Sequence, residues 1–99
     1  MSQTSLVADF QINNPNGLHA RPGAYLVAAL KPFTSEVKIT NTDRPGKTVS
    51  ARSLLNLMVL GIKRGHHVRV FIDGDDAQQT LAALQDAIAS GLGEALTNE

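Results

Sequence analysis

Leu6, Ala8, Phe10 and Ile12 alternate with Val7, Asp9 and Gln11. This period-two pattern predicts a strand with one face on a core. It runs into NNPNG, Asn13 to Gly17, where proline fixes φ and glycine or asparagine can enter left-handed space, so a turn follows. From Arg21 to about Lys31 the residues are small or straight-chain, with Ala24, Val27 and Ala28 on one side and Leu26 and Leu30 nearby. A helix fits, because Pro22 occupies an early turn that tolerates a missing amide and Pro32 stops the run. Val37 and Ile39 then alternate with Glu36 and Lys38, and DRPGK leads to Thr48, Val49 and Ser50. Two antiparallel strands joined by a Pro-Gly turn are predicted.

RSLLNLMVLG is short and apolar, but its leucines and methionine favour helix, with Ser53 near the start and Gly61 at the end. In HHVRVFID, Val68, Val70 and Ile72 face one way and His67, Arg69 and Phe71 the other, the pattern of a strand. The last helix is predicted to begin at Asp75 as N-cap with Gln78 three residues on. Ala77, Leu81, Leu84 and Ile88 form its core stripe, and Gly91 and Gly93 mark its end. The order is βαββαβα. Alternating strands imply a sheet with one face covered by helices and the other open, an α+β open-faced sandwich.

At 99 residues with 42% hydrophobic content, the chain is expected to form one domain, 1–99, with a single core and no need of a structural metal. Cysteine is absent, which excludes disulfides and thiolate catalysis. MSQTSLVADF has no basic leader followed by an apolar stretch, and LLNLMVLGI, Leu54 to Ile62, is too short to cross a bilayer. A soluble, cytoplasmic chain is expected. Nine Lys plus Arg balance nine Asp plus Glu, so no overall field favours nucleic acid. The balance is uneven along the chain. All nine bases precede residue 73, together with only three acids, and the other six acids follow. Acidic protein surfaces meeting Arg21, Lys31 and Arg52 around His19 are the partners this polarity suggests.

His19 stands between the NPNG turn and the predicted helix, close to unpaired helix amides and two residues before a guanidinium. Three readings are open on local pattern: a loop hydrogen bond, an anion site, or a nucleophilic imidazole that takes a phosphoryl group. His66 and His67 are adjacent and, on a strand, point to opposite faces, so they do not form a chelate. Asp73, Asp75 and Asp76 lack the pattern of a regular calcium loop and suit a helix cap. No nucleotide-binding or zinc-protease motif is present. In the short helix, Leu54, Leu55, Leu57, Met58 and Leu60 surround more of the axis than a surface helix buries. With Leu57 and Leu60 on the core, Leu54, Leu55 and Met58 form an exposed docking patch; the plainer reading sandwiches the helix under the C-terminal segment.

NGLHARPGAYLVAAL resembles the phosphorylation site of the histidine-containing phosphocarrier (HPr) family of the sugar phosphotransferase system, and RSLLNLMVLGIKRG resembles that family's second characteristic region. The likeness spans roughly Leu6 to Leu92. It implies the same βαββαβα open-faced sandwich, a four-stranded antiparallel sheet covered on one face by three helices. It also implies a monomeric carrier rather than an enzyme, with no cofactor or metal. His19 would be phosphorylated on Nδ1 by enzyme I, charged by phosphoenolpyruvate, and would pass the group to a histidine of an EIIA partner. Arg21 would steady the phosphoryl group and Pro22 would open the helix. Leu54, Leu55 and Met58, with Lys31 and Arg52, would dock both partners. Ser53 matches the position of a regulatory phosphoserine, in a context, RSLLN, that departs from the usual one. The linker NTDRPGK and tail AIASGLGEAL resemble the HPr domain of fructose-type multidomain transfer proteins. The alternative is a phospho-adaptor or anion-binding module whose His19 does not transfer.

Overall fold

The computed structural model describes residues 4–94. In chain order its elements are β1 (Thr4–Gln11), α1 (Ala20–Leu30), β2 (Glu36–Asn41), β3 (Thr48–Ser50), α2 (Leu54–Val59), β4 (His67–Gly74) and α3 (Ala77–Ala89). The predicted βαββαβα order is therefore present. The strands form one open sheet in the order β1-β4-β2-β3, and every neighbouring pair is antiparallel.

Register explains the alternation. Ile72 pairs with both Leu6 and Val37, and Val70 with both Ala8 and Ile39, so apolar residues of three strands share the helix-covered face. Leu26, Leu30, Leu57, Leu84 and Leu92 complete the core above them. The open face carries polar cross-strand pairs. Arg69 donates to Asp9 through Nε at 2.7 Å and Nη2 at 3.0 Å, and Ser5 donates to Asp73. Val7 and Phe71, also paired, are exposed on that face.

In α1 the buried residues are Pro22, Gly23, Leu26 and Leu30, while Ala24 and Ala28 point to solvent. Leucine removes more apolar area from water than alanine, and the 22-26-30 spacing keeps one stripe on the core. The C-terminal end of α1 is closed by Arg52, whose guanidinium donates to the carbonyls of Leu30 (2.9 Å), Phe33 (2.8 Å) and Ser35 (2.8 Å).

The start of α3 differs from the sequence expectation. Its N-cap is Asp76 instead of Asp75, and the Asp76 carboxylate makes no capping bond within the helix. It instead accepts the backbone N–H groups of Thr34 (2.8 Å) and Ser35 (2.9 Å) and the Ser35 hydroxyl, tying the loop after α1 to α3. Thr80 supplies a local bond, from Oγ1 to the Asp76 carbonyl at 2.8 Å. α2 begins as predicted: Ser53 Oγ accepts the Asn56 N–H at 3.2 Å.

His66 lies just before β4, where its Nδ1 accepts the Lys63 N–H at 3.1 Å and meets Asn41 at 3.0 Å. His67 faces Asp43 instead, with Nδ1 to Oδ2 at 3.1 Å. Both imidazoles thus hold turns. No described group of three His, Cys, Asp or Glu is placed to hold a metal, and no described helix is long and apolar enough to cross a membrane.

Candidate phosphoryl-acceptor site

The loop that carries His19 is pinned on both sides. Gly17 N–H donates to Asn14 O at 2.9 Å, closing the predicted turn, and Leu18 N–H donates to Ile62 O at 2.9 Å. Leu18 is only 2% exposed, so the residue before the histidine is a core anchor. His19 is the N-cap of α1, with extended φ and ψ of −80° and −169°, and its carbonyl accepts the Gly23 N–H at 2.8 Å. Its side chain makes no capping bond. The ring therefore stands beside the helix terminus, with 36% of its side chain exposed.

One ring nitrogen is occupied. His19 Nε2 lies 2.9 Å from Glu94 Oε2, and the other carboxylate oxygen, Oε1, accepts Asn14 Nδ2 at 2.8 Å. Asn14 is buried and also donates to Gly91 O at 2.9 Å. Glu94 reaches the site because α3 ends in a reversal: Leu92 N–H donates to Ala87 O and Gly91 N–H to Ile88 O, the paired bonds of a Schellman turn. Gly91, Leu92 and Gly93 all have positive φ, and fully buried Leu92 nails the reversal to the core. The Asn14 bond is the largest influence holding the Glu94 carboxyl below its usual range, followed by burial, which opposes it, and by His19. Arg21 contributes through space.

Arg21, Glu94, Pro15, Asn16 and Gly93 line a polar cleft of about 310 Å³ beside His19. His19, Arg21 and Pro22 thus sit together at the start of α1. Asn14 and Glu94 complete this site but were not singled out by sequence reasoning. Their sequence signals are a second asparagine in the turn and the Gly-Leu-Gly run that, as a reversal, brings Glu94 back to it.

Lys31 and Arg52 are placed otherwise than expected. Lys31 is the C-cap residue of α1, about 18 Å along the helix from His19 at 1.5 Å per residue. Arg52 is engaged by carbonyls at that same end. The basic cluster around His19 is therefore corrected to Arg21, because Lys31 ends α1 and Arg52 is held by carbonyls at that same end, opposite the terminus that carries His19.

Among the described residues α2 packs on α1 and β3 and not on α3, so α3 does not sandwich it; residues 95–99 of the C-terminal segment lie outside the described residues. Leu57 and Leu60 are buried, Leu55 is 77% exposed, and Leu54 and Met58 are half-buried beside Gly23. Val59, also exposed, extends the apolar surface toward Arg44 and Lys47.

Residues 7–90 match the family model described as the PTS HPr component phosphorylation site. The chain belongs to the HPr family of phosphotransferase-system phosphocarriers. It is 51% identical over 89 residues to the multiphosphoryl transfer protein of Salmonella typhimurium, covering 90% of this chain and 24% of that protein. Its likeness to the Haemophilus influenzae multiphosphoryl transfer protein is 46% over 90 residues, 91% of this chain and 18% of the relative. The chain thus spans a quarter or less of the length of these relatives. Among solved structures, HPr from Thermoanaerobacter tengcongensis superposes with a TM-score of 0.82 at 34% identity, covering 91% of this chain and 98% of that one. HPr from Bacillus anthracis gives 0.76 at 32%, covering 86% and 98%.

Proposed function

We propose that the chain, acting as one domain, takes a phosphoryl group onto Nδ1 of His19 from an enzyme I-type donor and hands it to an EIIA-type acceptor of a fructose pathway. The observation that carries this reading is the position of His19: an N-cap whose ring is left out of capping, half-exposed, and bonded to Glu94, which with Arg21 lines a polar cleft. In the first step the Nδ1 lone pair attacks phosphorus, and the bond from phosphorus to the donor nitrogen breaks with its electron pair returning to the donor. In the second step the acceptor's imidazole repeats the attack and the pair returns to Nδ1. Arg21 and the first-turn amides of α1 offset the charge on the transferring group. Pro22 starts the helix without wasting an amide.

Leu54, Leu55 and Met58 serve as the docking surface for donor and acceptor in turn, with Ser53 at its edge as a site where added charge would disturb docking. The fructose assignment is supported by the likeness to multiphosphoryl transfer proteins together with the linker NTDRPGK and the tail. A carboxylate lining the cleft weighs against a plain anion-binding module.

Incubation with phosphoenolpyruvate and enzyme I, followed by intact mass, tests the reading. One acid-labile phosphate is expected on the wild-type chain and none on His19→Ala. Discharge on adding a fructose-type EIIA is expected next. Failure to accept phosphate under conditions that charge a known carrier overturns the proposal; acceptance without discharge assigns the adaptor role instead.

A further inference from the structure

We propose that Glu94, held by Asn14, is a positioning residue that keeps the His19 proton on Nε2, so that the phosphoryl group arrives at and leaves Nδ1 without any proton transfer. The proposal rests on the carrier reading above for its consequence, but its geometric basis is separate.

A carboxylate only accepts hydrogen bonds, and a neutral imidazole carries a single N–H. With Glu94 Oε2 at 2.9 Å from Nε2, the ring's proton must sit on Nε2 for this contact to be a hydrogen bond. Nδ1 is then left with its lone pair. The carboxylate does not turn away, because its second oxygen is fixed by Asn14, which is itself buried and tied to Gly91. The Schellman reversal and buried Leu92 place the backbone that carries it.

The electron count follows from this arrangement. When Nδ1 bonds to phosphorus and keeps no proton of its own, the ring holds Nε2–H and becomes formally cationic. The Glu94 carboxylate already lies against that edge and balances the new charge. When the acceptor attacks phosphorus, the N–P pair returns to Nδ1 and the ring is neutral again in the same tautomer. The opposite tautomer, with hydrogen on Nδ1, would have to lose that proton before each attack. A hydrogen bond of ordinary strength biases the two forms by about tenfold.

Two substitutions separate the proton's placement from mere packing. In Glu94→Gln the amide oxygen pairs with the Asn14 donor, so the amide N–H₂ faces His19 and donates to Nε2, driving the proton to Nδ1. In Glu94→Ala neither bias remains. Two-bond ¹H–¹⁵N correlation spectra of the unphosphorylated ring, recorded at a pH where it is neutral, read the tautomer directly. The expected result is Nε2–H in the wild type, Nδ1–H in Glu94→Gln and a mixture in Glu94→Ala. Phosphoryl uptake from enzyme I should slow on the order of tenfold in Glu94→Gln and less in Glu94→Ala.

A Glu94→Gln ring with the wild-type ¹⁵N pattern overturns the proposal, as does wild-type uptake by a variant whose tautomer has switched. If the ring responds as expected but the wild-type chain takes no phosphate, the carrier reading falls and with it the transfer role of Glu94. If the chain is phosphorylated and the ring does not respond, the positioning role alone falls.

Discussion

Gly17 lies directly against the backbone at Ile62. A Cβ at position 17 would run into the Ile62 carbonyl oxygen and come within 2.6 Å of Lys63 Cα, and the residue's φ of +69° is a conformation that glycine adopts freely. The same carbonyl accepts the Leu18 N–H, so the close approach and the anchor of the His19 loop are one feature. Gly17→Ala is therefore expected to lose more than about 2 kcal/mol of stability and to displace His19, since backbone on the far side cannot yield as a side chain does. Urea unfolding and the rate of phosphoryl uptake check the two effects. A loss below about 0.5 kcal/mol would show that the loop is not pinned there.

Arg52 closes α1 in the way a C-terminal cap does, with a fork of donors on three carbonyls. Arg52→Ala is expected to cost about 2–3 kcal/mol, the range for losing charge-assisted bonds to partly buried carbonyls. Arg52→Lys should recover less than half, because an ammonium lacks the planar fork. Phosphoryl uptake at His19 should change little in either variant, since the cap is at the other end of the helix. A stable Arg52→Ala chain with impaired uptake would reverse this assignment and return Arg52 to docking.

What was legible in the sequence follows from which interactions are local. Alternation in β1, β2 and β4 gives the faces because pleating has period two, and Ser53 and Gly61 frame α2 through short-range capping. His19 and Arg21 stood out because a histidine and a guanidinium at a turn-to-helix boundary raise an anion or nucleophile reading, which local pattern left open beside a plain loop hydrogen bond and only the family resemblance narrowed. Asn14 with Glu94 was not, being a contact across 80 positions made by a tail reversal. Asp76 was grouped with the carboxylates suited to a helix cap, but Asp75 was chosen as the N-cap, because the bonds that engage the Asp76 carboxylate most closely come from a loop 42 residues earlier and leave no local signal. Arg52 read as a free charge because nothing in its neighbourhood names the carbonyls it meets.

The docking surface is tested by placing charge where exposure is high. Leu55, at 77% exposed, makes little contribution to the core, so Leu55→Glu should alter stability by less than about 0.5 kcal/mol. Its affinity for enzyme I and for the acceptor should fall together, by on the order of tenfold, because a desolvated charge in an apolar contact has no partner. Met58→Glu should weaken docking too but also cost stability, as its methyl end sits near Gly23. Calorimetric titration with each partner reads the affinities. Undiminished binding of Leu55→Glu to both would exclude this face.

Acid sensitivity is expected from Asp76. The Ser35 hydroxyl and the Thr34 and Ser35 N–H groups hold its carboxyl at about 2, against 3.8 for an ordinary aspartate. The folded state thus binds its proton later than the unfolded chain, so between these values the unfolded state holds more protons and stability rises with pH. The contribution is complete above about pH 5 and is lost as pH falls through 3.8 toward about 2. Asp76→Asn offers one acceptor and points an N–H₂ at donors, so it should be the less stable chain at neutral pH. Asp9, Asp43 and Glu94 are also held below their ordinary values and sensitise both chains to acid, so the quantity to follow is the difference in melting temperature. That difference should stay constant above about pH 5 and narrow on acidification. A gap that is constant down to about pH 2 would show that ionised Asp76 does not hold the loop after α1.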